Sequence, residues 1–149
     1  MRWLLLDEVI AIKKGVKALT RSRVPRGPVT PELLMMEMMA QTGGLLLGAE
    51  SDYKNDLIFA KIEEATFLKS APAGEVIDIE AVSENLRPEG AWLDACIRCG
   101  EDVLAKGRFL LMNVGRLVSG VEKAITFHDA FMDYFQVRKK VQCVPVEGP

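Results

Sequence analysis

The sequence predicts an α+β domain in which a curved antiparallel sheet wraps one long central helix. Two observations carry this. The segment from Pro31 to about Ala49–Glu50 reads as a helix that is apolar on every face, and alternating segments bounded by turn residues follow it as strands. With 149 residues, 49% of them hydrophobic, the chain can build one substantial core and is too short for two ordinary domains.

The elements follow in order. Residues 4–12 are apolar and form a lead-in segment and a first strand, which turns at Lys13-Lys14-Gly15 into a second strand over 16–22. Thr30 is placed to cap the helix, Pro31 suits its first position, and Glu32 complements the macrodipole. Leu33, Leu34, Met35, Met36, Met38, Met39 and Ala40 then leave no polar face, which marks a core helix. Glu37, Gln41, Thr42 and the pair Gly43-Gly44 interrupt the run, so it does not read as a membrane span; the two glycines let another backbone come close. Residues 51–56 are a polar loop. Strands are expected over 57–62 and 63–68, over 75–85 after a turn at Ala71–Gly74, and over 91–99 and 102–114 as a hairpin around Gly100-Glu101. Past Gly115, Thr126 is placed to cap a helix to about residue 140, with Phe127, Phe131 and Phe135 on one face and Arg138-Lys139-Lys140 at its C-terminus. The expected organisation is a main domain over 1–116 and a C-terminal extension with an amphipathic helix over 117–149.

Composition narrows the function. A net charge of −2 and few aromatic residues argue against nucleic acid as a partner. The opening Met1–Leu6 meets Asp7-Glu8 too soon to form the apolar region of a signal peptide, so a cytoplasmic location is expected. Three cysteines do not make a disulfide framework. Cys96 and Cys99 sit on a predicted strand, where a spacing of three sends them to opposite faces, so neither a redox pair nor a metal site is expected. No cofactor motif stands out.

The chemistry-bearing residue is Glu37. A carboxylate inside an apolar helix is costly unless paired or hydrogen-bonded, and so marks a candidate site. Its surroundings, Pro28-Val29-Thr30-Pro31 followed by Glu37-Met38-Met39-Ala40-Gln41, resemble the signature of the hotdog-fold 3-hydroxyacyl-acyl carrier protein dehydratases: a His-Phe-Pro-Gly-x-Pro-x-x-Pro-Gly-Val-Leu run, then Glu-x-x-Ala-Gln. Leu5–Val9, Ile58–Ile62 and Ala73-Gly74-Glu75 are similar to the family's first strand, the strand after its helix and its Pro-Gly-Asp turn, so the likeness spans about residues 4–114.

The resemblance implies a dimer with its helices side by side under a continuous sheet. It implies acyl-thioester tunnels between protomers, each site taking its Glu from one chain and its His from the other. The substrate would be an acyl group on acyl carrier protein or coenzyme A, in fatty acid or polyketide-type metabolism. Glu37 takes the acid–base role, and Pro31, Glu32, Gln41, Phe59 and Ala60 are the implied substrate contacts. Losing water across the α and β carbons needs a base for the α-proton and an acid for the hydroxyl. The helix N-terminus would polarise the thioester carbonyl.

The chain departs from the pattern at telling positions. Arg23 stands at the catalytic histidine position, the stretch between first strand and helix is short, and Glu32 replaces a motif glycine. The only histidine is His128, in the extension, where a lid could bring it to the tunnel mouth as a replacement base. Three readings follow: Glu37 acts on an acyl thioester as a dehydratase, isomerase or thioesterase variant; the chain binds acyl groups or carrier without turnover, or lends Glu37 to a His-bearing hotdog partner in a heterodimer; or Glu37 is a structural relic bonded to Gln41. Arg21, Arg23 and Arg26, with Lys13 and Lys14, form a basic stretch that reads either as a solvated loop or as a dock for an acidic carrier or a coenzyme A phosphate.

Overall fold

The computed structural model describes residues 4–115, 127 and 129–142. Strands β1 (Glu8–Lys13) and β2 (Lys17–Arg23) precede helix α1 (Pro31–Gly48) and a 3-10 turn over Ala49–Ser51. Strands β3 (Asp56–Phe67), β4 (Val76–Arg87), β5 (Gly90–Cys99) and β6 (Asp102–Gly115) follow, then α2 (Asp129–Tyr134), α3 (Val137–Lys140) and the short β7 (Val141–Gln142). One sheet holds all the strands in the order β3-β6-β5-β4-β2-β1-β7. Every pairing is antiparallel except β1 with β7.

The inward face is built by strand alternation. Ile77, Ile79 and Ala81 of β4, Leu93, Ala95 and Ile97 of β5, and Ala105, Phe109 and Leu111 of β6 are buried. They meet Met35, Met38, Met39, Leu45, Leu46 and Leu47 of α1. Contact is close at Gly43, where an added Cβ would fall 2.6 Å from Leu93 Cδ1. One buried polar link joins helix to sheet. Thr42 Oγ1 donates to Met38 O at 2.8 Å, so the 2.7 Å contact between Thr20 and Thr42 is a donation from the Thr20 hydroxyl.

Several expectations are revised. Thr30 is the N-cap and Pro31 opens the helix, but the Thr30 hydroxyl makes no capping bond. Residues 57–62 and 63–68 are one strand. Register shifts between Phe59 and Lys61 and between Ile62 and Glu64 interrupt the alternation without ending the pairing, which is why the sequence looks like two segments. The single helix expected to residue 140 is broken at Gln136, whose φ of 50° is left-handed. Beyond the break the chain adds β7 to the edge at β1, with Lys14 N–H donating to Gln142 O at 2.9 Å. Thr126 and His128 lie outside the described residues.

The two sheet edges differ. β7 covers one, while β3 is the terminal strand at the other and exposes Ile58 (40%), Phe59 (39%) and Ile62 (42%). On the outer face Arg108 ties strands together, pairing with Glu63 and Glu84 at 2.7 Å and Asp94 at 2.9 Å and covering the Trp92 ring. No helix among the described residues is long and apolar enough to cross a membrane.

Tyr53 closes the C-terminal end of α1. Its hydroxyl donates to Leu45 O at 3.0 Å and its ring meets Phe127 edge-on at 5.0 Å. Burial is the chief cause holding the phenol above its usual value of 10.0; Arg138 pulls it down and Asp52 pushes it up. A raised phenol stabilises the fold below the unfolded-state value, and that stability drains as pH rises past it, because only the unfolded chain ionises freely. Unfolding free energy is therefore expected to fall above pH ~10, with a limiting slope of about 1.4 kcal/mol per pH unit from this group. Urea titrations at rising pH check this: Tyr53→Phe should be less stable at neutral pH and have a shallower alkaline decline.

Candidate functional site

Glu37 lies in the second turn of α1, on the side of the helix that the sheet does not cover. Leu33 is 58% exposed, and Leu34, Met36, Glu37, Ala40 and Gln41 are partly exposed. The all-apolar helix is thus enclosed on one side only within a single chain. Gln41, one turn on, donates through Nε2 to Glu37 Oε1 at 3.0 Å, while its Oε1 accepts the Leu5 N–H at 3.1 Å. The backbone contact fixes which way the Gln41 amide points, and the amide in turn fixes the carboxylate.

Glu37 opens onto a cavity of about 650 Å³. Leu4, Leu5, Pro25, Pro28, Val29, Leu33 and Leu34 give it an apolar lining, and Asp7, Arg23, Arg26 and Glu37 supply its ionisable groups. A long apolar acyl group with a reactive polar end suits such a space. Leu33 and Leu34 bring the first turn of α1 to the wall, and the N–H groups of that turn receive no side-chain cap.

The other wall is held by backbone ties. Val24 N–H donates to Glu75 O and Gly74 N–H to Val24 O, both at 2.8 Å, which fastens the start of the loop to the turn before β4. Arg23 ends β2 there: its backbone N–H donates to Asp7 Oδ2 at 2.6 Å and its Nη1 to Gly74 O at 2.6 Å. Ser22 Oγ donates to Leu5 O beside it. A second cavity, about 630 Å³, shares Asp7, Arg23, Pro25 and Arg26 with the first and adds Glu8, Arg21 and Gly74. Arg23 and Arg26 therefore stand between the two.

Of the residues selected from the sequence, Glu37 and Gln41 are hydrogen-bonded partners, and Glu37, Arg23 and Arg26 line one cavity. Pro31 and Glu32 open the helix outside that lining. Phe59 and Ala60 are on β3, with the Phe59 ring 5.1 Å from that of Phe109, and do not line it within one chain. Arg21 lines only the second cavity. Its bidentate contact with Asp78, at 2.7 and 3.2 Å, raises its guanidinium above the ordinary value, first by hydrogen bonding and then by charge. Sequence reasoning missed Asp7, which is brought to the cavity by the Arg23 N–H; its position after Leu4–Leu6 gave no such signal. Among the described residues no group of His, Cys, Asp and Glu could hold a metal ion.

No protein-family model matches the chain. It is 30% identical over 122 residues to a 3-hydroxyacyl-[acyl-carrier-protein] dehydratase FabZ of Polaromonas sp., covering 72% of this chain and 84% of that protein. It is 31% identical over 106 residues to a bifunctional enzyme LpxC/FabZ of Chlorobaculum tepidum, covering 62% of this chain and only 23% of that longer protein. The dehydratase heterocomplex ApeI:P from Xenorhabdus doucetiae matches in structure with a TM-score of 0.65 at 20% identity, over 74% of this chain and 83% of that one. This similarity shows the hotdog fold.

The Gln41 clamp makes a testable statement. Gln41→Met keeps the length of the side chain but leaves the Leu5 N–H and the Glu37 carboxylate without this partner. A loss of about 1 kcal/mol is expected, seen as a lower urea midpoint with an unchanged slope.

Proposed function

Because the chain belongs to the 3-hydroxyacyl-[acyl-carrier-protein] dehydratase family, we propose that it binds acyl thioesters in the Glu37 cavity and that Glu37 moves a proton next to the thioester carbonyl. The observation that carries this is a carboxylate oriented by Gln41 in the wall of a mostly apolar cavity of about 650 Å³. Acyl carrier protein or coenzyme A would present the acyl group, and Arg26 is the cation best suited to meet an acidic carrier. Arg21 is paired with Asp78 and Arg23 is anchored through Nη1 on Gly74 O, whereas the Arg26 side chain has neither an ion pair nor such an anchor among the described residues. Neither metal nor cofactor enters this chemistry.

The proposed working unit is a dimer formed along β3 and the uncovered side of α1. Support comes from the exposed Ile58, Phe59 and Ile62 on a terminal strand and from the partly exposed Leu33, Met36 and Ala40 on the helix. A His-bearing hotdog partner is a second reading. It is favoured by Arg23 at the histidine position and by the heterocomplex of the Xenorhabdus dehydratase.

Two measurements test the proposal. A non-hydrolysable acyl-coenzyme A thioether should bind, and Glu37→Gln should retain that binding while losing about 10²- to 10⁴-fold in turnover of 3-hydroxyacyl, 2-enoyl or 3-enoyl thioesters. Equal turnover by wild type and variant would remove Glu37 from the chemistry. Ile62→Lys places a charge on the free strand and should convert the dimer to monomer in sedimentation; an unchanged mass would move the interface elsewhere.

A further inference from the structure

We propose that the end of the molecule built by the β1–β2 turn, the loop after α1 and the C-terminal extension is a basic face that docks on the surface of an anionic lipid bilayer. This face is separate from the Glu37 cavity.

The antiparallel pairing of β1 with β2 divides the basic stretch of the sequence. Glu8 is opposite Arg21 at one end of the pair, and Lys13 is opposite Lys17 at the other. With β1 six residues long, about 17 Å separates these ends. Arg21, Arg23 and Arg26 line the second cavity, whereas Lys13, Lys14 and Lys17 go to the opposite end. There they meet two other segments. Lys14 N–H donates to Gln142 O at 2.9 Å, which brings in α3, with Arg138, Lys139 and Lys140 just before β7. Arg138 Nε lies 3.7 Å from Asp52 Oδ1, which brings in the loop that carries Lys54. A Cβ built on Gly15 would lie 3.8 Å from Glu50 Oε1, so loop and turn are neighbours as well.

Seven cations thus come together on a chain whose net charge is −2. Lys13, Lys17, Lys54, Arg138 and Lys139 are exposed, and Lys14 and Lys140 are half-buried. The acids around them compensate only in part. Asp52 and Glu80 each lie 3.7 Å from a cation, Asp133 is exposed on α2, and Glu50 keeps its Oε1 buried. Exposed ion pairs hold weakly and yield to a stronger anion. The rest of the molecule carries net negative charge, so this end is the one drawn to an anionic surface.

The kind of anion follows from the kind of cation. All but one are lysines, whose hydrated point charges on flexible stems suit mobile phosphate headgroups; a fixed carboxylate or phosphate favours the arginine fork. Tyr134, at the end of α2, is 69% exposed and its ring stands edge-on to Phe135, with centroids 4.8 Å apart. An amphipathic ring near a lysine cluster is the combination that membrane–water interfaces favour. The contact is peripheral and needs no segment to cross the hydrocarbon.

The full chain should cosediment with vesicles of phosphatidylcholine containing about one-third phosphatidylglycerol, and not with phosphatidylcholine alone. Affinity should fall roughly tenfold or more between about 0.05 and 0.3 M salt, as the Debye length shortens. Lys13→Glu with Lys139→Glu should weaken binding roughly tenfold or more. The same charge change at Arg98 and Lys106, exposed on β5 and β6, should leave it within about twofold. Tyr134→Ser should weaken it a few fold. Urea midpoints and sedimenting mass report whether each variant keeps its fold, and the wild-type preference between the two vesicles stands without any variant. Equal binding to both vesicles, or binding to neither, overturns the proposal. So does association with a soluble acidic protein, with acyl carrier protein as the probe, that Lys13→Glu with Lys139→Glu abolishes while anionic vesicles stay unbound. None of these readouts depends on turnover at Glu37.

Discussion

Everything in this fold answers to one constraint: α1 has no polar face, so all of its sides need cover. The sheet supplies cover on one side, through the alternating inward residues of β4, β5 and β6 and the close contact of Gly43 with Leu93. The buried hydroxyl relay from Thr20 through Thr42 to Met38 O fixes how the helix sits against β2. The uncovered stripe of Leu33, Leu34, Met36, Glu37 and Ala40 is what the sheet cannot reach. The cavity lies on that stripe at the N-terminal end of the helix, where the loop between β2 and α1 stands off. Fold and site thus come from the same shortage of covering surface.

The loop's anchorage decides the site's electrostatics. Arg23 is the last residue of β2, so its backbone belongs to the sheet while its side chain reaches the turn before β4. Being tied at both places, it gives the cavity wall a positive charge that does not wander. Ordering a long cationic side chain is otherwise entropically costly. Here the Gly74 carbonyl fixes one end of the guanidinium, and the rest has no partner among the described residues.

Much of this was legible in the sequence, for reasons that can be named. The helix could be read because Pro31 opens it and its apolar run has no strand-like alternation; the hairpin of β5 and β6 because Gly100-Glu101 interrupts two alternating runs. Glu37 stood out by being charged among methionines and leucines. Asp7 could not be found, because its approach to the cavity depends on a bond from a backbone sixteen residues away. The break at Gln136 escaped notice because the spacing of Phe127, Phe131 and Phe135 fits a helix whether or not the chain later turns left-handed. β7 could not be foreseen either: two residues carry no periodicity, and pairing beside β1 is a tertiary event.

The contrast between the sheet's edges bears on how the site is completed. An exposed strand carrying Ile58, Phe59 and Ile62, with no strand beside its outer edge among the described residues, would be a liability in a monomer, since such an edge invites any extended chain. At the other edge the chain spends its own residues on β7 to close β1. Closing one edge and leaving the other apolar makes sense where the open edge has a regular partner. A partner docked along β3 would also approach α1, because the helix and that strand are in contact. The same association would then cover the apolar helix, end the sheet and add the remaining wall to the cavity at Glu37. The carboxylate that is anomalous in one chain stands where two chains would meet.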